Sequence, residues 1–356
     1  MTAKNFNRWL QIPCGEKMGS VKDLIVIEEP TENKTGIGEF VFSDRYSVFD
    51  WGEMPDHIKN KGAAICMMSA YFFEKLEELG IKTHYIGVVE NGEVKKFEEV
   101  EEASNKMRIK LLRVLRPSIH EGKYDYSIYR KEKGNFLIPL EIIYRNSLPA
   151  GSSVFRRLEE GSLRLEDIGL KEKPKPGQKL EKPILDVSTK LEITDRYISW
   201  NEAGEIAGLS NDEIEKMKKI TMFINDLITK EAKKAGLINE DGKVEYGFDE
   251  HRNMMVVDVI GTPDECRFTF DSTPVSKEIA RIYYRNTPWY EEVKEAKKKD
   301  RMNWKSYVSS PPPLPSRLAE LISMLYQACC NEITGRRFFN VSSLREIVRE
   351  IKDFID

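Results

Sequence analysis

The segment GKVEYGFDEHRNMMVVDV puts Glu245 on one β-prone run and Asp258 on the next, with the turn DEHRN between them. Antiparallel pairing of two such runs brings both carboxylates to one face, where their repulsion needs a cation. Magnesium shared with nucleotide phosphate oxygens is one answer, since Mg2+ takes oxygen ligands and retains places for phosphate. A pair of rim carboxylates facing water is the other. Asp258 also interrupts the apolar run Val256, Val257, Val259, Ile260, and a charge in such a run is costly unless something compensates it. Gly261, Thr262 and Pro263 then turn the chain into Asp264, Glu265, Cys266 and Arg267.

Three further stretches combine residue types suited to anions. GEKMGSVKDLIVI sets Lys17 and Lys22 among glycines at the entry to a strand. Glycine lets backbone N–H groups approach a phosphate and lysine adds a point charge, although the spacing is not that of a Walker A loop. An exposed Gly-Lys turn reads the same way. IPLEIIYRNSLPAGSSVFRR carries Glu141 and Arg145 on a strand and leads into a small-residue loop. A guanidinium with the hydroxyl of Ser152 or Ser153 suits a phosphate monoester, and an edge-strand arginine beside a surface turn is the plain alternative. SDRYSVFDWG places Ser43 and Asp44 where a strand becomes a loop, able to bind a ligand or to fix a turn. Cys266 has no histidine near it in sequence and reads as a small loop residue rather than a nucleophile.

The chain of 356 residues is long enough for one large domain or two lobes, with 40% hydrophobic and 32% charged residues. A formal net charge of −3 offers no basic field for nucleic acid or an anionic membrane. Cys14, Cys66, Cys266, Cys329 and Cys330 show no CxxC spacing and the four histidines are scattered, which argues against a zinc site or a disulfide framework. MTAKNFNRWLQIP lacks the apolar centre of a signal peptide and no 18-residue apolar run occurs, so a soluble protein of the cytoplasm is expected.

The elements that must position these residues are mostly strands in the first half. VKDLIVIEE, GEFVFSDRYSVFDWG, RIKLLRVLRPSI and DYSIYR are strand candidates, and HYIGVVENGEVKKFEEV reads as a hairpin about Asn91-Gly92. KGAAICMMSAYFFEKLEELG predicts a helix closed by Gly80, with Ile65, Met68, Phe72, Leu76 and Leu79 on one face. GLKEKPKPGQKLEKP predicts a solvated loop. SNDEIEKMKKITMFINDLITKEAKKAGL predicts a long helix, with capping-box spacing at Ser210 and Glu213, a stripe of Ile214, Met217, Thr221, Ile224 and Ile228, and Gly236 as its stop. After PPPLP come a helix from about Ser316 and a last helix, LREIVREIKDFI. The expected class is α+β in two lobes, divided at residues 1–135 and 136–356.

Taken in order, FSDRYSVFDWG with IKNKG, IPLEIIYRNSLPAGS, GLKEKPKPGQKLEKPILDVSTK, AGLINEDGKVEYGF and DVIGTPDECRF resemble the SAICAR synthetase family, over roughly residues 15–315. The resemblance implies a β-rich N-terminal nucleotide-binding lobe and a larger α/β lobe carrying the metal and substrate site. It implies ATP and Mg2+ as cofactors, and as substrates the carboxy-aminoimidazole ribonucleotide CAIR and L-aspartate, joined through an acyl phosphate. It implies that Lys17, Lys22, Lys190, Glu245 and Asp258 face nucleotide, with Glu245 and Asp258 on the metal. It implies that Lys190, Lys243 and Arg267 carry the chemistry. It implies that Ser43, Asp44, Glu141, Arg145, Ser152, Asp264 and Arg267 meet substrate. It points to no nucleic acid and no membrane, and leaves a homo-oligomer open. The chain departs from the family pattern at Thr194, Val259, Glu265 and Cys266, and with Pro149 in the arginine-to-serine loop. A related ATP-dependent ligase or kinase acting on another phosphorylated carboxylate, and a non-catalytic nucleotide-binding protein, are the alternatives.

Overall fold

The apolar runs of the first 111 residues pair into one antiparallel sheet. The computed structural model describes residues 16–18, 21–301 and 303–355. The sheet holds β1 (Glu16–Met18), β2 (Lys22–Glu28) and β3 (Gly36–Phe42), then, after helix α1 (Lys61–Glu78), β4 (Tyr85–Glu90), β5 (Glu93–Lys95) and β6 (Lys106–Leu111), in the order β1-β2-β3-β6-β4-β5. Asn91 and Gly92 both take positive φ, as a two-residue hairpin turn between β4 and β5 demands. α1 packs on β3, β4 and β6 through Ile65, Met68, Phe72 and Leu76, all buried. Leu79, expected on that stripe, lies beyond the helix and is 56% exposed, because the chain has left helical geometry before Gly80 turns left-handed.

A small hairpin, β7 (Ser118–His120) with β8 (Lys123–Asp125), projects before the second sheet. The expected strand DYSIYR ends instead in a single 3-10 turn over Ser127–Arg130. Tyr126 and Tyr129 are both buried, and a spacing of three puts them on one side of a turn, whereas a strand would set them on opposite faces.

The second sheet uses β9 (Phe136–Leu148), then, past α2 (Ser153–Glu159), β10 (Gln178–Thr189). α3 (Trp200–Ala207) and α4 (Asn211–Lys234) lead to β11 (Ile238–Phe248), β12 (Met254–Val257), β13 (Cys266–Phe270) and β14 (Thr273–Val275). The order is β10-β9-β11-β13-β14, all antiparallel, with β12 also paired to β11. β10 takes in the end of the stretch expected as loop. Its pairing with β9 is irregular between Lys179 and Ile184, around Pro183, which has no N–H to donate. α4 carries its capping box, the Ser210 hydroxyl accepting from the Glu213 N–H and the Glu213 carboxylate accepting from the Ser210 N–H. Its predicted stripe is buried in full.

Main-chain bonds join the two sheets. The His84 N–H donates to the Val256 carbonyl at 3.0 Å, the Val256 N–H to the Lys82 carbonyl at 2.9 Å, and the Leu137 N–H to the Arg113 carbonyl at 2.9 Å. The division expected after residue 135 coincides with the start of β9. After α5 (Glu278–Arg285) and α6 (Pro288–Lys299), α7 (Ser316–Thr334) returns to pack on α1, and α8 (Leu344–Ile355) packs on α7. One apolar core therefore runs through both halves.

Gly261, in the turn that follows β12, lies hard against α1. Its φ is +69°, and a Cβ there would run into the Phe72 ring. Left-handed strain and overpacking together predict that Gly261→Ala loses about 2–4 kcal/mol in denaturant unfolding. A change below about 0.5 kcal/mol would show that the two elements are not packed as described.

Candidate active site

Strand geometry gathers the charged residues. Side chains two apart share a face of a strand, so Asp241, Lys243 and Glu245 line one side of β11. β9 sets Glu141 directly across from Glu245. The Lys243 ammonium lies 2.9 Å from Glu141, 3.0 Å from Glu245 and 3.2 Å from Glu265. Lys190, one residue past β10, pairs with Glu245 and lies 3.7 Å from Glu141. Asp258 sits just after β12 rather than within a strand, with φ of +70°, and forms an ion pair with Lys22 of β2. The Lys22 ammonium also lies over the Phe40 ring, 4.6 Å from its centre.

Burial and charge pull these groups in opposite directions. Burial resists ionisation of Asp258, yet the ammonium groups of Lys22, Lys190 and Lys243 hold its carboxyl well below the usual range. Glu245 has burial and the Asp258 charge against it, and Lys190 and Lys243 outweigh both, so it too is lowered. Glu141 goes the other way: burial lifts it to about 7 despite Lys243. Lys243 is desolvated but is held protonated by Glu265, Glu245 and Glu141. The result is a half-buried cluster in which Asp258, Glu245 and Lys243 are held charged while Glu141 is lifted towards neutrality.

A cavity of about 380 Å³ opens from this cluster, lined by Glu141 and Lys243 at one part and by Arg145 and Arg267 at another. Arg145 is 1% exposed and donates to Asp241 at 3.3 Å, Asp186 at 3.4 Å, and to Ser153 and Tyr197 hydroxyls at 3.2 Å. Arg267 forms a two-pronged pair with Asp241, its Nε at 2.7 Å. Arg157 pairs with Asp186 and stacks 4.0 Å from the centre of the Tyr197 ring. Two aspartates thus offset three guanidinium groups, leaving that region cationic.

Other expected site residues are placed as follows. Ser153 lines the cavity, while the Ser152 hydroxyl accepts from the Val154 N–H and caps α2. Asp264 lines the cavity but is tied to Lys61 at 2.7 Å and accepts the Tyr326 hydroxyl at 2.7 Å; burial opposes its ionisation, the charges of Lys61 and Lys277 with the Lys61 and Tyr326 hydrogen bonds together outweigh this, and its carboxyl falls to about 2. Asp44 accepts the N–H groups of Asn60 and Gly62 and so holds the start of α1, and the Ser43 hydroxyl donates to the Val21 carbonyl. Lys17 pairs its backbone with Leu24, and its side chain lies outside the described residues. Asp241, Asp186, Arg157, Tyr197 and Lys61 were missed. Asp241 was within reach of sequence reasoning, being two residues before Lys243 on the same strand face.

A family model described as SAICAR synthetase matches residues 18–300. A protein of Archaeoglobus fulgidus, provisionally named phosphoribosylaminoimidazole-succinocarboxamide synthase, is 56% identical over 95% of this chain and 100% of its own length. The chain belongs to the SAICAR synthetase family. A Thermoplasma acidophilum member, the synthase of the same name, is 33% identical over 84% of this chain and 93% of its own. The fold also matches a SAICAR synthase from Saccharomyces cerevisiae complexed with SAICAR, at a TM-score of 0.61 and 21% identity, covering 91% of this chain and 95% of that one. It matches a SAICAR synthetase in complex with ADP at a TM-score of 0.55 and 24% identity, over 84% and 100%.

The donor set can be tested against Mg2+. Among the described residues no group of three or more His, Cys, Asp or Glu side chains could hold a metal alone. Glu245 and Asp258 supply two ionised carboxylates beside lysines, and hard oxygen donors in that number suit Mg2+ that takes its remaining ligands from phosphates and water. The residues fit the ion.

His84 gives this region a pH signature. Its Nε2 lies 3.2 Å from the Asp258 carbonyl oxygen, and burial lowers its pKa from 6.5 to about 4, against the attraction of Asp258. The unfolded chain therefore takes up this proton first, so stability is full above 6.5 and is lost as pH falls towards 4. His84→Gln is expected to lose roughly 3 kcal/mol less than the parent in urea unfolding between those limits. An identical pH dependence in both proteins would place the effect elsewhere.

Proposed function

We propose that this chain joins the carboxylate of CAIR to the amine of L-aspartate at the expense of ATP, forming SAICAR. The observation that carries the reading is the linked set of ion pairs Lys22–Asp258, Lys190–Glu245 and Lys243–Glu141, of which Lys243 and Glu141 line a cavity with arginines in its wall. Family membership and the relatives' printed names support it. A carboxylate is a poor electrophile because its leaving group would be oxide. Transfer of the γ-phosphoryl group to the carboxylate releases ADP and makes an acyl phosphate, and attack by the amine then releases phosphate and forms the amide.

Lys22 and Lys190 face the nucleotide phosphates in this reading, and Lys243 stands between them and the substrate carboxylate. Glu245 and Asp258 would hold Mg2+, which when bound would offset phosphate charge. Arg145 and Arg267 orient the ribonucleotide through its phosphate, with the guanidinium fork matching two phosphate oxygens. Positioning and electrostatics supply most of the rate in such phosphoryl transfers. A ligase of the same kind for another phosphorylated carboxylate is favoured by one observation: Glu265, a departure from the family pattern, pairs with Lys243 at 3.2 Å inside the cavity.

The test is ADP release with ATP, Mg2+, CAIR and L-aspartate, together with detection of the succinocarboxamide product. Product formation supports the reading, and ATP binding with no product sinks it in favour of another carboxylate. Asp258→Asn is expected to lower kcat by about 10²–10³-fold, the scale of losing one preorganised charge. Arg267→Ala should raise KM for the ribonucleotide by about 10- to 100-fold and leave KM for ATP within about threefold. Near-parental kinetics would remove either residue from its role.

A further inference from the structure

Lys190 reaches the lysine–carboxylate cluster from an irregular loop. The loop is closed at its neck, where the Thr189 N–H donates to the Arg196 carbonyl at 3.0 Å and the Arg196 N–H to the Thr189 hydroxyl at 3.1 Å. It belongs to the site at several points: Lys190 pairs with Glu245, Asp195 lines the cavity, and Tyr197, just past the neck, accepts from Arg145. Its own packing is thin. Glu192 is buried and Leu191 half-buried, while Ile193, Thr194 and Asp195 are exposed. A loop with so few buried apolar contacts opens readily unless something outside it holds it.

What holds it is the hairpin of β7 and β8 together with the residues that follow. The Ile193 N–H donates to the Tyr124 hydroxyl at 2.6 Å, and the Tyr126 hydroxyl donates to the Glu192 carboxylate at 2.9 Å. Glu192 also accepts from the Arg196 guanidinium at 3.2 Å, so Tyr126 bears on the neck as well. Among the described residues the hairpin pairs with no third strand, and a two-stranded ribbon is marginal on its own. Here it is mounted through a run of rings. Tyr124 meets Tyr126, Tyr126 meets Tyr129, Tyr129 stands edge-on to Phe136 of β9, and Phe136 edge-on to Phe248 of β11. β9 carries Glu141, and β11 carries Lys243 and Glu245. The ring ladder and the charged cluster are thereby fixed to the same two strands.

We propose that the hydroxyls of Tyr124 and Tyr126 position Lys190 for phosphoryl transfer, an assignment that rests on the ligase reading above. Both hydroxyls are engaged with the loop, at Ile193 and Glu192, so they act on the reaction through it and are positioning groups. The Lys190 N–H is held from the inner side by the Pro139 carbonyl at 3.1 Å. The tyrosines supply the outer hold, two and three residues further on. A displaced Lys190 backbone carries its ammonium with it, and a misplacement of about 1 Å can cost on the order of 100-fold in rate. With both holds in place the ammonium keeps its distance to the carboxylates of β9 and β11.

A variant with both Tyr124→Phe and Tyr126→Phe removes the hydroxyls and keeps the rings, so the ladder and the fold are retained. Its kcat/KM for ATP, measured with Mg2+, CAIR and L-aspartate, is expected to fall about 10- to 100-fold, with KM for CAIR and for L-aspartate within about threefold of parental. In a Lys190→Ala background the same two changes should cost less than about twofold, because groups that act through one residue are not additive. Parental kinetics for the tyrosine variant, or a loss that adds in full to that of Lys190→Ala, would overturn the proposal. Parental protein that makes no product would overturn the ligase reading instead, and the positioning role is then decided without turnover. The Ile193 amide should exchange with solvent about 10-fold faster in the tyrosine variant, and a non-hydrolysable ATP analogue should bind about 10-fold more weakly. If either is unchanged, the tyrosines lose the role.

Discussion

The ion pair between Lys22 and Asp258 ties the second strand of the first sheet to the turn that leaves the second sheet. Neither charge is tolerable alone. Asp258 follows a wholly buried strand, and an unpaired carboxylate there would cost several kcal/mol. Its positive φ turns the chain at once into Val259 and Ile260, both buried, so the carboxylate leaves the strand while its neighbours stay in the core. Once Asp258 is fixed, Glu245 must be neutralised as well, and Lys190 and Lys243 serve both. The arrangement is a lattice in which Lys190 and Lys243 each answer more than one carboxylate, while Lys22 answers Asp258.

The same logic extends along β11. Asp241 holds Arg145 and Arg267, Lys243 holds Glu141 and Glu265, and Glu245 holds Lys190, all from one face of one strand. A single backbone element therefore sets the distance between the arginine pocket and the lysine–carboxylate cluster. The turn from Gly261 to Arg267 closes the far wall. It is clamped from two other directions, Asp264 by Lys61 of α1 and Tyr326 of α7, and Gly261 by Phe72. Helices remote in sequence thus act on the site through one short loop.

Much of this was legible in the residues. The Glu245 and Asp258 pair, the glycine-flanked lysine and the arginine strand follow from alternation and from the cost of an isolated charge. The long helix over residues 211–234 was visible because its stripe and capping box agree. The rest depended on tertiary partners. Nothing local distinguishes Asp44, which caps α1, from a ligand-binding aspartate, or Ser152, which caps α2, from Ser153 beside Arg145. DYSIYR misled because β-prone tyrosines were counted without their spacing.

The central claim is that the buried charge lattice is where phosphate is transferred. A crystal structure with Mg2+ and a non-hydrolysable ATP analogue tests it most directly. The account predicts the triphosphate between Lys22 and Lys243, with its metal on Glu245 and Asp258. A triphosphate bound elsewhere, with Lys22–Asp258 and Lys190–Glu245 still intact, would contradict it.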